Sequence, residues 1–482
     1  MIGRLRDSAL PLATPAARRA RRALRVAVLV LCLLTALSAG HSALTYDPVT
    51  GAAAGTEPGA ADPALVATID GVGPGAIVAY DADGNVVYHE DSLLLYHDVD
   101  PSPAGEHTVT YVASDGAPPG ACDGSRCLRN VIERANLTTG EVTRLHSRVH
   151  PRNGSTQIHD VDRINDSAFL VADISFPDRV YVLNTTTGAV TWEWRVSEAY
   201  APGSGGAYPR DWTHLNDVER LPDGRVMVSL RNQDQVVFVE PGEGIQPNWT
   251  LGTDDAHGTL YEAHNPDYIP ADRGGPAVVV ADSENNRLVE YRRTNGSWER
   301  TWVWRDATLQ WPRDADRLPS GRTLVADTHG GRLLSVTPAG RVAWSLPVPD
   351  GSYDVELLGT GDESAGGADA TTLGLRSRRP GNPIADGDTS IDDATVGPGP
   401  AADASASDAG GPDRPGGVLL AAVSTLGYRF VALVPPLVLH GLLYTLPPWA
   451  TAVDAALLLA TLVVAAGTLL VEAGIGIRAR LR

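Results

Sequence analysis

Residues 213–240 read THLNDVERLPDGRVMVSLRNQDQVVFVE, and their pattern decides the fold. Leu-Pro-Asp-Gly at 221–224 is a turn sequence, flanked by the short apolar runs VMVSL and QVVFVE. Such runs, punctuated by Gly, Asn and Asp, are strands joined by tight turns. The opening HLNDVERL is one of a series. YHDVD, IHDVDRI, HLNDVERL, HNPDYI, PRDADRL and YDVELL align on Asp98, Asp160, Asp217, Asp267, Asp314 and Asp354. Successive anchors lie 62, 57, 50, 47 and 40 residues apart. After four of them comes a second strand such as FLVADI or TLVADT, then a third such as RVYVLN or RLLSVT. A Trp-bearing strand, VTWEWRV, RTWVWRD or VAWSLPV, often ends the unit. A four-strand unit repeated about every fifty residues signals a β-propeller. The expected fold is therefore all-β, a six-bladed β-propeller over residues 65–375.

The unit after Asp354 holds only about two strand-like pieces. Residues 76–90, AIVAYDADGNVVYHE, supply two more. N-terminal strands are thus expected to complete the last blade and remove its open edge. Trp192, Trp194, Trp302 and Trp304 fall on outer strands and are expected to pack between blades.

Each anchoring Asp suits a structural role, bonding backbone amides at a strand entrance. The residues ahead of it differ. His97 and His159 precede the Asp directly, His214 and His264 lie three before it, and Arg313 and Tyr353 precede it in the last two units. If the anchors open equivalent inner strands, four histidines and an arginine converge at one end of the central channel. Imidazolium and guanidinium both donate to oxyanions, which favours an anionic ligand. Metal ligation by the imidazoles and simple capping of local turns are the other readings. His97 and Arg313 are expected to bind substrate. Arg231 ends the strand after His214 and Asn216, so these three are expected to face one pocket.

The net charge is −19, and all 39 basic residues are arginine. An acidic surface without lysine suits a halophile. It offers no basic stripe for phosphates, so nucleic acid is excluded as a partner. Cys122 and Cys127, in CDGSRC, are read as a small disulfide clip of an exported protein. A metal site there would need two further ligands nearby.

Export is indicated at both ends. RRARRALR at 18–25 precedes an apolar run from Val26 to about Ala43, so residues 1–44 form a signal peptide or signal anchor. Six Asn-x-Ser/Thr sequons, at Asn136, Asn153, Asn165, Asn184, Asn248 and Asn295, suit an exported surface. Residues 376–415 form an acidic Pro/Gly/Ala-rich linker. Apolar runs from Val418 and from about Ala450, separated by LPPW, suggest a transmembrane hairpin over 416–474. The expected location is the cell membrane, with the propeller on the extracellular side. Two crossings would return the RARLR tail outside, against the positive-inside rule. A re-entrant first run or a third crossing would remove that conflict.

The HxND anchor followed by Arg, the HD anchors and the blade count together resemble the arylsulfate sulfotransferases. These are exported six-bladed propellers that move a sulfuryl group from an aryl sulfate to a phenol without a nucleotide donor. The resemblance covers roughly residues 65–375. It implies that His159 of IHD, and His214, Asn216 and Arg231, are catalytic. It implies that His264 of EAHNPD is the histidine transiently sulfated, with ping-pong kinetics. No cofactor is implied. The implied partners are an aryl sulfate donor and a phenol or glycan acceptor. The rival readings are a non-catalytic membrane-anchored binding propeller, a quinone-cofactor dehydrogenase and a metal hydrolase.

Overall fold

The computed structural model describes residues 15–45, 62–70, 75–101, 107–118, 120–122, 127–151, 155–306, 308–348, 351–361, 366–378, 430–431, 433–443, 445–447 and 450–480. It divides into two compact units. One comprises Asp47–Asp403, and the other joins Met1–Tyr46 to Ala404–Arg482.

The first unit is all-β, with six antiparallel sheets as the blades of a propeller. The innermost strands are Leu95–Pro101, Ile158–Asn165, Leu215–Arg220, His264–Ile269, Asp314–Arg317 and Ser352–Leu357, in blades one to six. These are the six strands that carry the Asp anchors. Blade six differs from expectation. Its innermost strand comes from the C-terminal side, and three strands come from the N-terminal side: Leu65–Ile69, Ala76–Tyr80 and Val86–Glu90. The closure is three strands with one, where the sequence suggested two with two. Leu65–Ile69 is buried on both faces, so it carries no alternation by which to recognise it.

Apolar side chains from adjoining sheets form the cores between blades. Trp194 packs with Val226 and Val228 of the next blade, and Trp302 and Trp304 pack with Val325 and Leu334. Trp194 lies on the outermost strand Val190–Arg195, and Trp302 and Trp304 lie on the outermost strand Ser297–Trp304.

Polar bonds tie the innermost strands into a ring. Asp98 accepts from the Val161 amide (3.1 Å), and Asp160 accepts from the Val218 amide. Asp267 accepts from Arg317 (2.9 Å) and Asp314 from Val355 (3.1 Å). Asp354 accepts from Val99 (2.7 Å), which links the sixth blade back to the first. The anchors therefore bond the next blade, not their own turn. Asp217 is the exception, because Glu219 of its own strand takes the Tyr268 amide (3.1 Å). Asp217 Oδ1 is left buried with no hydrogen bond among the described residues.

Just ahead of the anchors the pairing slips. Register shifts fall at Tyr96/Val99, Ile158/Asp160, Leu215/Asp217 and His264/Asp267. A bulge adds a residue and re-aims its side chain. The recurring slip lies where the strands carry His97, His159, Asn216 and His264. Cys122 and Cys127 are joined by a disulfide, with Cα atoms 6.4 Å apart.

The second unit is helical. It contains α1 (Pro15–Thr45), α2 (Pro436–Leu443) and α3 (Ala452–Arg480). Within α1 and α3, the stretches Arg21–Leu44 and Ala452–Ala473 are long and apolar enough to cross a bilayer. The first C-terminal apolar run is described only in part. Its residues 418–429 lie outside the described residues, as does the linker beyond residue 378. Within that run α2 has 8 residues.

Candidate functional site at the mouth of the channel

The innermost strands bring the histidines together. The rings of His97 and His159 lie 4.8 Å apart, and those of His159 and His214 lie 4.9 Å apart. Tyr353, which precedes the sixth anchor, meets His97 at 5.2 Å and both His159 and His264 at 6.2 Å. Trp311 stands 5.4 Å from His264. Arg313 lies between Trp311 and Tyr353, with its guanidinium carbon 4.6 and 4.8 Å from their ring centres. Each of these contacts joins residues of different blades, except those made within the strand start at 311–313.

Two histidines have defined tautomers. His264 Nδ1 lies 2.8 Å from Ser283 Oγ. That hydroxyl has its own acceptor in the Pro312 carbonyl, at 2.7 Å, so it accepts from an Nδ1–H. The lone pair of His264 is then on Nε2. His214 Nδ1 lies 2.6 Å from Asp211 Oδ1, which makes Nδ1–H the donor and leaves Nε2 as a base. Asp211 also accepts from Ser155 Oγ at 3.2 Å. The bond to His214 helps hold its carboxyl low, at about 2, against the opposing effect of burial. His214 sits in the left-handed region (φ 45°), the turn that brings its ring back over residue 211. Its side chain keeps 25% of its surface exposed, whereas His97, His159 and His264 are buried.

Arg231 is clamped by Glu262 and donates to Asn232 Oδ1 at 3.3 Å. Its charge acts on both His214 and His264. Arg313 Nη1 lies 3.8 Å from Asp70, whose carboxylate also lies 3.5 Å from His97 Nδ1. Asn216 donates to the Ala263 carbonyl at 3.2 Å, so it straps blade three to the start of the strand that carries His264.

The sequence led us to expect protonated imidazoles, and the structure corrects this. Burial lowers the pKa of all four histidines, and it lowers His159 and His264 furthest. Arg231 adds to the depression at His214 and His264, and Arg313 adds to it at all four. The fixed positive charge of the site is therefore carried by the two arginines. Asp70, Asp211, Glu262 and Ser283 were not among the residues singled out from the sequence. Asp70, Asp211 and Glu262 reach the cluster from loops outside the strand repeat, and Ser283 opens the turn after the second strand of blade four, as Arg231 does in blade three. Asp211, three residues before His214, is the one whose position could have been weighed.

The fold and site define a class: a six-bladed propeller that holds neutral imidazoles and two arginines at the mouth of its channel. Residues 62–264 match the family described as Arylsulfotransferase (ASST), and the match ends on His264. The matched span contains the other three histidines, Asn216 and Arg231, and it supports that family over those residues. No curated protein matches the chain. Among solved structures, the periplasmic gluconolactonase of Pseudomonas aeruginosa is 14% identical, over 61% of this chain and 99% of that one, with a TM-score of 0.38. A protein of unknown function from Bacteroides caccae is 14% identical, over 59% and 94%, with a TM-score of 0.39. The calcium-binding protein regucalcin of Agrobacterium tumefaciens is 17% identical, over 53% and 75%, with a TM-score of 0.33.

Proposed function

We propose that the propeller is an aryl sulfate sulfotransferase working outside the membrane, with His264 as the nucleophile. The observation that carries this reading is the Ser283–His264 bond, which holds the proton on Nδ1 and leaves the lone pair on Nε2 of a ring whose pKa is lowered by burial, by Arg231 and by Arg313. In the first half-reaction Nε2 attacks sulfur, the S–O bond to the aryl group breaks, and the phenol oxygen takes the electron pair. Because Nδ1 keeps its proton on Ser283, the sulfated ring is cationic and remains a good leaving group. In the second half-reaction His214 Nε2 removes the proton of the acceptor hydroxyl. The acceptor oxygen attacks sulfur, the S–N bond breaks, and its electrons return to His264. By microscopic reversibility, the proton gained by His214 serves the next leaving phenolate. The Asp211 pairing favours His214 over His159 for this proton transfer. Arg231 and Arg313 face the sulfuryl oxygens, whose charge persists throughout. Glycan hydroxyls and phenols are both acceptors that this chemistry accommodates.

The test is release of nitrophenolate from 4-nitrophenyl sulfate, with and without a phenol acceptor, by the wild type and by His264→Ala. Acceptor-dependent release that is lost in the variant, with a sulfated peptide containing His264 after alkaline quench, supports the reading. A folded wild type that releases nothing across several acceptors returns the propeller to a binding role.

A further inference from the structure

Tyr353 occupies the place in blade six that His97, His159, Asn216 and Arg313 hold in theirs, one residue before the anchoring Asp. It is buried, and its ring touches those of His97, His159 and His264. Among the described residues, no other makes ring contacts with three of the four histidines. The Arg313 guanidinium lies over the Tyr353 ring, 4.8 Å from the centroid. Its hydroxyl is buried and has no hydrogen-bond partner among the described residues. A buried hydroxyl is costly to leave unpaired, and an orphan of this kind at the centre of a site calls for an acceptor brought by the ligand.

We infer that the Tyr353 hydroxyl donates to a non-bridging oxygen of the sulfuryl group while it is transferred to and from His264. This inference rests on the function proposed above and adds a catalytic residue that its sequence pattern does not carry. The alternative role, acid to the leaving phenolate, fits poorly. Burial, with Asp70, Asp160 and Asp217 nearby, pushes the phenol well above its ordinary range. Proton transfer from it to an ordinary phenolate would run uphill. A hydroxyl that always keeps its proton is a fixed neutral donor, and it stabilises oxygen charge without titrating. The contact lasts through both half-reactions, because the sulfuryl oxygens remain on sulfur while the bridging atom changes from oxygen to nitrogen and back.

The test is Tyr353→Phe in the full chain, which keeps the ring and its contacts. The expected result is a fall in kcat of roughly 10²-fold, the usual scale for one lost donor of this kind. The loss should be the same for aryl sulfates whose phenols differ in acidity, and the melting temperature should not fall. A loss that grows with the basicity of the leaving phenol overturns the assignment, because it marks an acid. So does a kcat within two-fold of wild type. A second readout needs no turnover: the rise in melting temperature with sodium sulfate, compared between wild type and variant. General salt effects are common to both proteins, so a larger rise in the wild type supports the contact and equal rises overturn it. If the wild type transfers nothing, the proposed function falls, and this difference alone decides the role of Tyr353.

Discussion

Two causes favour the neutral form of the four imidazoles at the channel mouth: burial, which is partial only at His214, and the charge of a nearby guanidinium. For His264 the consequence is a range of working pH. Its folded pKa is lowered, so the proton leaves at a lower pH than from a free imidazole, and the nucleophile is available below about pH 6.5. The acid limb of kcat/KM, followed in a stopped assay between pH 4.5 and 8, is expected below that value. A limb at or above it contradicts the assignment of His264. His214 differs because Asp211 orients it. Asp211→Asn preserves the shape but removes the charge opposite Nδ1–H and allows an amide NH2 to face that nitrogen instead. We expect a loss of roughly 10²-fold in kcat/KM, the scale of general acid–base catalysis. The loss should be steeper for weakly acidic acceptors, whose proton must be removed. An unchanged acceptor dependence would exclude His214 as the base. At this scale the sequence showed the imidazoles and Arg231 and hid their partners. The histidines recur with the blades, whereas Asp211 meets His214 only because residue 214 turns into a left-handed conformation. Ser283 opens the turn after the second strand of blade four, the place Arg231 holds in blade three, but a serine there carries no charge to draw notice, and Glu262 lies on the loop before His264.

A blade is recognisable in this chain because its innermost strand repeats one device, a carboxylate that bonds the amide of the next blade. Five of the six anchors do so, and Asp217 does not. The two kinds are expected to respond in opposite ways to substitution. Asp160→Ala orphans the Val218 amide and should cost about 1–3 kcal/mol. Asp217→Asn orphans nothing and removes a charge that Asp160, Glu219, Asp314 and Asp354 all oppose. Burial and that repulsion raise the Asp217 pKa. The folded state therefore binds a proton that the unfolded chain releases above its ordinary pKa. Its penalty is absent at low pH and grows as pH rises above the carboxylate range. The Asn variant should melt higher than wild type at pH 7 and at the same temperature near pH 4. Calorimetry at the two pH values decides, and equal melting temperatures at pH 7 would show that the charge is relieved in another way. The same logic explains what the repeat left obscure. Blade six shares its anchor with the others, but its three remaining strands lie some 260 residues away in the chain, and the anchor marks only the strand that carries it.

The helical unit bears on how the whole chain is held. α1 and α3 run antiparallel, joined by polar contacts along their length. Arg21 and Arg25 meet Glu472 at one end, Thr35 meets Thr461 at 3.0 Å, and Ser38 and Ser42 meet Asp454 at the other end. An acidic residue in an apolar helix is costly without such partners, about 2.5–3.5 kcal/mol at a bilayer centre and less near the interface. If α1 were cleaved near SAGHSA, Glu472 would lose both arginines. The pairing also removes the charge conflict read from the sequence. With α1 and α3 antiparallel, Arg21 and Arg25 share one side with the arginine-bearing end of α3, as the positive-inside rule asks. Of the first C-terminal apolar run only the part from residue 430 is described, with α2 of 8 residues. The expected state is a retained N-terminal anchor. Intact mass of the detergent-extracted protein should include residues 15–45, and Glu472→Ala together with Asp454→Ala should lower its melting temperature in detergent. A mature chain beginning after residue 43 would remove the pair altogether. The basic run at 18–25 would then be a transient export signal, and α3 would have to hold Asp454 and Glu472 by other contacts.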